Sequence, residues 1–385
     1  MRIREIRVFG LFDLFDHVIP LNQDERVTIL HGPNGFGKTA VLRLLRALFE
    51  CDYEALNRVP FGALELDLGA DGTLRVERTS TEKETGLRFT RTAPGGVKTW
   101  RPERRDEPWY ETLPFTAPLR VRFITTQRLL ARREAPKTLS LFQQPQPLSV
   151  VKELAIELAT RIEETQAAYG RRAQELDREF PARLLQRNTH PALTVEELQR
   201  RLREIEQKNQ RLVTAGLLDA QSAVAVPVEK VDEEARSVLS VFVTDAEKKL
   251  GVFDDLLARV ELLREVVGRR FLFKTLITGG EHGIQFKTVK GKTLDLDDLS
   301  SGEQHELVLL YDLLFCVERG ALVLLDEPEI SLHISWQNEF IDDLSRVVKL
   351  CGFDVLLATH SPDIIGKHWD LTVELKAPPE LAARA

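Results

Sequence analysis

The chain of 385 residues is poor in the features that classify a protein most quickly. Its three cysteines, Cys51, Cys316 and Cys351, lie far apart, with no C-x-x-C pair and no histidine at ligand spacing. That excludes a zinc site and a disulfide framework and leaves three core thiols. No run approaches the 18 or so consecutive apolar residues of a transmembrane helix, so no membrane association is expected. The opening residues Met1-Arg2-Ile3-Arg4-Glu5 alternate charge with apolar side chains and lack the apolar core of a secretion signal, which points to the cytoplasm. There is no internal repeat. With a formal net charge of -7, the chain also lacks the global basic excess of a nucleic-acid-binding protein. One local cluster stands out: Arg120, Arg122, Arg128, Arg132 and Arg133, with Arg101, Arg104 and Arg105 upstream. It reads as the solvated face of a strand and its loop, or as a phosphate-binding patch, so contact with nucleic acid stays open.

What is present is an ordinary globular composition, 43% hydrophobic and 29% charged, long enough for a large core and two domains. One stretch organises it. Gly32-Pro33-Asn34-Gly35-Phe36-Gly37-Lys38-Thr39 fits G-x-x-x-x-G-K-[ST], and it is preceded by the apolar strand Val27–Leu30 and followed by a helix from Ala40. Strand, loop and helix in that order are what a P-loop needs. Its glycines let backbone N–H groups and the helix N-terminus wrap a triphosphate. Lys38 then reaches the β- and γ-phosphates, and the Thr39 hydroxyl sits on Mg²⁺.

Residues 1–30 read as strands, and 61–92 as a hairpin turning at Asp71-Gly72, so an antiparallel layer is expected beside the nucleotide sheet. Pro94 to Pro118, with Trp100, Trp109 and Tyr110, reads as a long surface loop. Leu119 to Thr126 reads as a strand ending at Gln127. Beyond Pro147 the periodicity turns helical: Val151, Leu154, Leu158 and Ile162, an interruption at Pro181, a two-heptad seam at Leu198, Leu202, Ile205 and Leu212, and a run from Ala235 to Val267. Residues 148–268 are therefore expected to form a helical insertion whose apolar stripes serve internal packing, the favoured reading, or a partner groove. Strands return at Phe271–Ile277 and Ile284–Val289, then strand and helix alternate to a closing strand at Leu371–Leu375. The expected fold class is α/β, a P-loop NTPase with a mainly parallel sheet plus an antiparallel β-layer and an inserted α-helical subdomain. Its head would comprise 1–147 and 269–376, with 377–385 a short tail.

Two further segments carry chemistry. Leu322-Val323-Leu324-Leu325 delivers Asp326 and Glu327 at the strand end where open α/β sheets bind ligands. Asp326 would hold Mg²⁺ and Glu327 would orient the attacking water. Leu299-Ser300-Ser301-Gly302-Glu303-Gln304 opens a helix, with Ser301 and Gln304 fitting a capping box. Its N-terminus is also a phosphate receptor without a nucleotide loop of its own.

P-loop, Gln127, LSSGEQ and LVLLDEP together resemble the motif order of ABC-type ATPases, in which the signature motif of one subunit closes on the ATP of another. The resemblance implies that Gly32 to Ala40 of one copy and Ser300, Ser301, Gly302 and Glu303 of a second bind one ATP, that Gln127 joins Thr39 and Asp326 at Mg²⁺, and that Glu327 and Lys38 are catalytic. Ser331-Leu332-His333 resembles the D-loop, and His360 in Ala358-Thr359-His360-Ser361-Pro362 resembles the catalytic switch histidine. No aromatic residue matches a base-stacking loop. The separation of 173 positions from Gln127 to Ser300 exceeds the transporter pattern, and the chain is more similar to the SMC, RecF and OLD branch. FITTQRLL, LSSGEQHELVLLYDLLF, LVLLDEPEISLHISWQ and VLLATHSPDII resemble ATPases of bacterial anti-phage defence, such as the OLD nucleases and the Septu ATPase. OLD nucleases continue into a TOPRIM domain, whereas this sequence stops at Ala385, so a nuclease would be a separate HNH or TOPRIM partner. The resemblance implies a homodimer or a higher even-numbered oligomer. A DNA-repair ATPase of RecF or SMC kind and a scaffold that binds ATP without turnover are the rival readings.

Overall fold

A computed structural model describes residues 2–80, 85–101, 119–124, 148–185, 193–219 and 233–378. The chain divides into two compact units, Met1–Arg132 with Asp312–Ala385, and Arg133–Tyr311.

The first unit opens with β1 (Glu5–Leu11), β2 (Phe15–Pro20) and β3 (Val27–His31), followed by α1 (Lys38–Phe49) and α2 (Tyr53–Arg58). Then come β4 (Ala63–Asp67), β5 (Thr73–Ser80), β6 (Thr85–Ala93), β7 (Gly96–Trp100) and β8 (Val121–Ile124). Alternation shows in β2, where Phe15, His17 and Ile19 are buried between exposed neighbours, as expected of a sheet with one face on a core. An antiparallel sheet runs β2-β1-β4-β5-β6-β7. The hairpin at Asp71-Gly72 joins β4 to β5. The expected surface loop after Pro94 contains β7, because Gly96–Trp100 pairs with β6; Trp109, Tyr110 and the rest of 102–118 lie outside the described residues.

The same unit's second stretch holds β12 (Leu322–Asp326), α8 (Ile334–Gln337), α9 (Phe340–Cys351), β13 (Asp354–Ala358), α10 (Pro362–Ile365) and β14 (Thr372–Glu374). With β3 and β8 they build a five-stranded sheet, β14-β3-β13-β12-β8, in which every pairing is parallel. Its inner strands are mostly apolar, as sheets covered on both faces require; β13 is buried throughout. One core joins both sheets of this unit through α1, with Val41, Leu42, Leu45 and Leu48 meeting Ile6, Val8, Leu64, Leu324 and Leu356. Of the arginine cluster, Arg120 is paired with Glu318 and Arg122 with Asp312 at 3.2 Å, which favours the solvated-strand reading at these two positions; Arg104, Arg105, Arg128, Arg132 and Arg133 lie outside the described residues.

The second unit contains α3 (Val150–Leu185), α4 (Val195–Thr214), α5 (Glu233–Leu250), α6 (Asp254–Arg270) and α7 (Ser301–Tyr311), with a small antiparallel sheet of β9 (Lys274–Gly279), β10 (Gly283–Thr288) and β11 (Thr293–Leu294). The expected insertion 148–268 falls inside this unit, which also takes in the three-stranded sheet and α7 because β10 and α7 both pack on α3. Pro181 does not interrupt α3, contrary to the sequence expectation. It sits near the C-terminal end, where it forfeits little more than one backbone hydrogen bond. The heptad residues of α4 pack internally: Leu198, Leu202 and Ile205 gather around Val243 and Leu239 of α5. The helical run after Ala235 is broken once, by the 3-10 turn Gly251–Phe253.

Candidate functional site

Parallel pairing places the carboxyl ends of β3, β13 and β12 side by side. These three ends carry the P-loop, Thr359-His360 and Asp326-Glu327. Two of these loops are tied to the neighbouring strand, Thr359 N–H donating to Leu30 O at 3.1 Å and Glu327 N–H to Ala358 O at 2.9 Å.

The P-loop needs its glycines. Gly37 precedes α1 with φ 90°, and a Cβ there would lie 2.5 Å from Cδ2 of Leu11. Gly32 has φ 145°, and a Cβ would come within 2.9 Å of the Leu375 carbonyl oxygen. Both the left-handed backbone and the close packing therefore call for glycine. The first turn of α1 contains no acidic residue, so its N-terminal dipole is left for an anion. From below, the buried His17 contacts the Phe36 carbonyl through Nε2 at 2.8 Å and stacks on Phe15, which also meets the Phe36 ring. Burial pushes the His17 imidazole pKa down, against the Phe36 carbonyl contact, which raises it.

Lys38 is buried, its Nζ donating to Gly32 O at 2.6 Å and Pro33 O at 3.0 Å. Burial lowers its ammonium pKa, while Glu327, Asp326 and Glu329 act in the opposite sense. The Thr39 hydroxyl donates to Asp326 Oδ1 at 3.0 Å. Burial raises the Asp326 carboxyl pKa, the Thr39 hydrogen bond opposes that, and the nearby Glu327 charge adds to it. A hydroxyl and a carboxylate in contact are a hard oxygen pair suited to Mg²⁺, which takes one or two protein oxygens and completes its shell with phosphate and water. Among the described residues no group of three or more His, Cys, Asp or Glu side chains is arranged to hold a metal alone. Gln127, the other expected metal-site residue, lies outside the described residues.

Glu327 has φ 46° and ψ 56°, a left-handed conformation that is strained for a residue with a side chain. Its Oε1 meets Nε2 of His360 at 2.5 Å. The structure thus brings Lys38, Thr39, Asp326, Glu327 and His360 into one place. Sequence reasoning missed Glu329, which looks like a solvated turn acid but accepts hydrogen bonds from the Thr359 hydroxyl at 2.6 Å and the His360 N–H at 3.1 Å.

In the second unit, the expected capping box is shifted by one residue. Ser300, not Ser301, caps α7: its N–H and hydroxyl donate to Glu303 Oε2 at 2.8 and 2.9 Å, and Glu303 N–H returns a 3.4 Å bond to Ser300 Oγ. Gln304 turns instead to the carbonyls of Asp297 and Leu299. Lys274 of β9 selects this frame by donating to both oxygens of Glu303, at 2.6 and 2.7 Å. Ser301 and Gly302 are left at the first turn of α7, with Ser301 exposed.

Two curated relatives, each described as a "Probable iron chelatin transport ATP-binding protein" from a strain of Helicobacter pylori, are 33% identical over 85 residues, 22% of this chain and 32% of theirs. The chain thus spans about a third of the length of the curated relatives it matches. Solved structures similar to it include the Smc head domain with an extended coiled coil bound to the C-terminal domain of ScpA from Pyrococcus furiosus (15% identity, TM-score 0.40, covering 94% of this chain and 91% of that one). The SMC head domain from Thermotoga maritima is another (11% identity, TM-score 0.40, 97% and 94% covered). No helix among the described residues is long and apolar enough to cross a membrane. A family profile described as "AAA domain, putative AbiEii toxin, Type IV TA system" matches residues 27–366, from the strand that feeds the P-loop to beyond His360, and the chain, an α/β fold with a P-loop, belongs to that family.

Proposed function

We propose that this protein is a Mg²⁺-dependent ATPase working as a switch, in which two copies close head to tail on ATP and control a separate effector nuclease in anti-phage defence. The observation that carries the hydrolytic part is the Glu327–His360 contact at 2.5 Å beside Lys38 and the Thr39–Asp326 pair. A site that only bound nucleotide would need no carboxylate and imidazole held together at its γ-phosphate end. ATP as the nucleotide is supported by the likeness to transport ATP-binding proteins over 85 residues.

In this reading Lys38 exchanges its own loop's carbonyls for the β- and γ-phosphates. The N-terminus of α1 and the P-loop amides hold the same oxygens. Thr39 and Asp326 are the residues that would hold Mg²⁺, which supplies charge neutralisation between phosphate oxygens. Glu327 orients the attacking water and polarises it, and His360 meets the γ-phosphate. Ser301, exposed at the start of α7, is offered to the nucleotide of a second copy. The nuclease partner and the defence role rest on the family resemblance alone.

The test is ATP turnover together with sizing by light scattering. Wild-type protein should hydrolyse ATP with Mg²⁺. Glu327→Gln should retain binding, lose roughly 100-fold or more in kcat, and shift to twice the monomer mass with ATP. An undiminished rate in Glu327→Gln would sink the assignment. DNA-stimulated turnover that collapses with salt would favour direct DNA binding.

A further inference from the structure

Glu329 stands in the 3-10 turn Pro328–Ser331 that follows β12. Its Oε1 accepts from the hydroxyl of the wholly buried Thr359 and from the backbone N–H of His360. Thr359 Oγ1 accepts in turn from Ser361 N–H at 3.0 Å, and Ser361 Oγ lies 3.0 Å from Gln337 Oε1. Gln337 closes the ring by donating from Nε2 to the Glu329 carbonyl at 3.4 Å and to the Leu332 carbonyl at 3.3 Å. One carboxylate oxygen therefore joins the turn that bears Glu327 to the loop that bears His360.

This placement is costly by itself. Oε2 of Glu329 is buried without a hydrogen-bond partner among the described residues, and the carboxylate acts on Lys38 and on the neighbouring acid Asp326. A third carboxylate beside Asp326 and Glu327 adds like charge, so packing alone does not account for it. The geometry does. His360 is gripped twice, through its ring by Glu327 and through its backbone by Glu329, two residues further along the same turn.

We propose that Glu329 is a positioning residue for ATP hydrolysis, holding the Thr359–His360 loop so that the imidazole of His360 faces Glu327 and the γ-phosphate. The proposal rests on the ATPase reading above and concerns a residue outside the P-loop, the Asp326-Glu327 pair and the Thr359-His360 loop. It separates binding from chemistry: Lys38 and the P-loop bind nucleotide without Glu329, but His360 loses its register when Glu329 is cut back. A misplacement of about 1 Å in such a group can cost on the order of 100-fold in rate.

The test compares Glu329→Ala and Glu329→Gln by steady-state turnover, by titration with a fluorescent ATP analogue, and by the ¹⁵N shift of His360 Nε2, assigned by its disappearance in His360→Ala. In Glu329→Ala, kcat should fall by roughly 10- to 100-fold with nucleotide affinity unchanged, and the Nε2 resonance should move. Glu329→Gln, whose amide oxygen can accept the same two bonds, should recover most of the rate and the wild-type shift. Wild-type turnover in Glu329→Ala, equal losses of affinity and rate, or a Gln variant no better than Ala would each overturn the proposal. A wild-type protein without turnover would overturn the ATPase reading instead, and the Nε2 shift would still report whether Glu329 sets the His360 ring.

Discussion

At the scale of single residues, the site is a set of charged groups kept in place by burial and by each other. Lys38 is held inside the P-loop by carbonyls at 2.6 and 3.0 Å, and Lys38→Ala should remove nucleotide binding, read as loss of saturable fluorescence with the ATP analogue. His17 offers a pH test. Its pKa is lowered in the folded protein because the ring is buried, so the unfolded chain binds more protons as pH falls through the ordinary imidazole value of about 6.5. Stability is then greatest above that value and declines as pH drops from about 6.5 towards the folded pKa. Urea midpoints between pH 5 and 7.5 should show this slope in the wild type and a shallower one in His17→Gln. An identical slope would remove His17 as its source.

At the scale of elements, α7 contributes a cap and a buried ion pair. Because Ser300 is the cap, Ser300→Ala should cost about 1 kcal/mol in denaturant unfolding. Ser301→Ala should stay within about 0.5 kcal/mol while lowering ATP-driven pairing; the reverse pattern would restore the frame expected from sequence. Further along α7, Glu306 is fully buried and paired with Arg270 of α6. Glu306→Ala should remove the buried carboxylate that faces that guanidinium and destabilise the fold by about 3–5 kcal/mol, whereas replacing both residues with leucine should be far less costly. How much of this could be read in advance depends on distance along the chain. Lys38, Thr39, Asp326, Glu327 and His360 were legible because each ends or follows an apolar strand, and parallel strands set such ends side by side. The cap was ambiguous because SSGEQ contains two overlapping S-x-x-[EQ] frames, and Lys274, arriving from β9, decides between them. Glu329 was illegible because its partner Thr359 lies thirty positions on, and a turn acid carries no periodicity. Pro181 misled because local propensity says nothing of a helix already anchored by Leu154, Leu158 and Ile162.

At the scale of the whole molecule, the α/β class and the antiparallel layer were visible in alternation and in the order of strands and helices, but the extent of the second unit was not. Its limit at Tyr311 reflects packing of β10 and α7 on α3, contacts between segments more than a hundred positions apart that no periodicity encodes. The strand order β14-β3-β13-β12-β8 has a further consequence, in time. β3 bonds to β13 and β14 within its sheet, so while the ribosome makes residues 32–353 this apolar strand has no sheet neighbour to bond. At roughly 5–20 residues per second that wait lasts on the order of 16–65 seconds, long enough for β1, β2 and β4 to zip into their own antiparallel layer beforehand. The candidate site is therefore among the last features to be born, because Asp326, Glu327 and the P-loop are brought beside His360 only once β13, the strand that leads to His360, has left the exit tunnel.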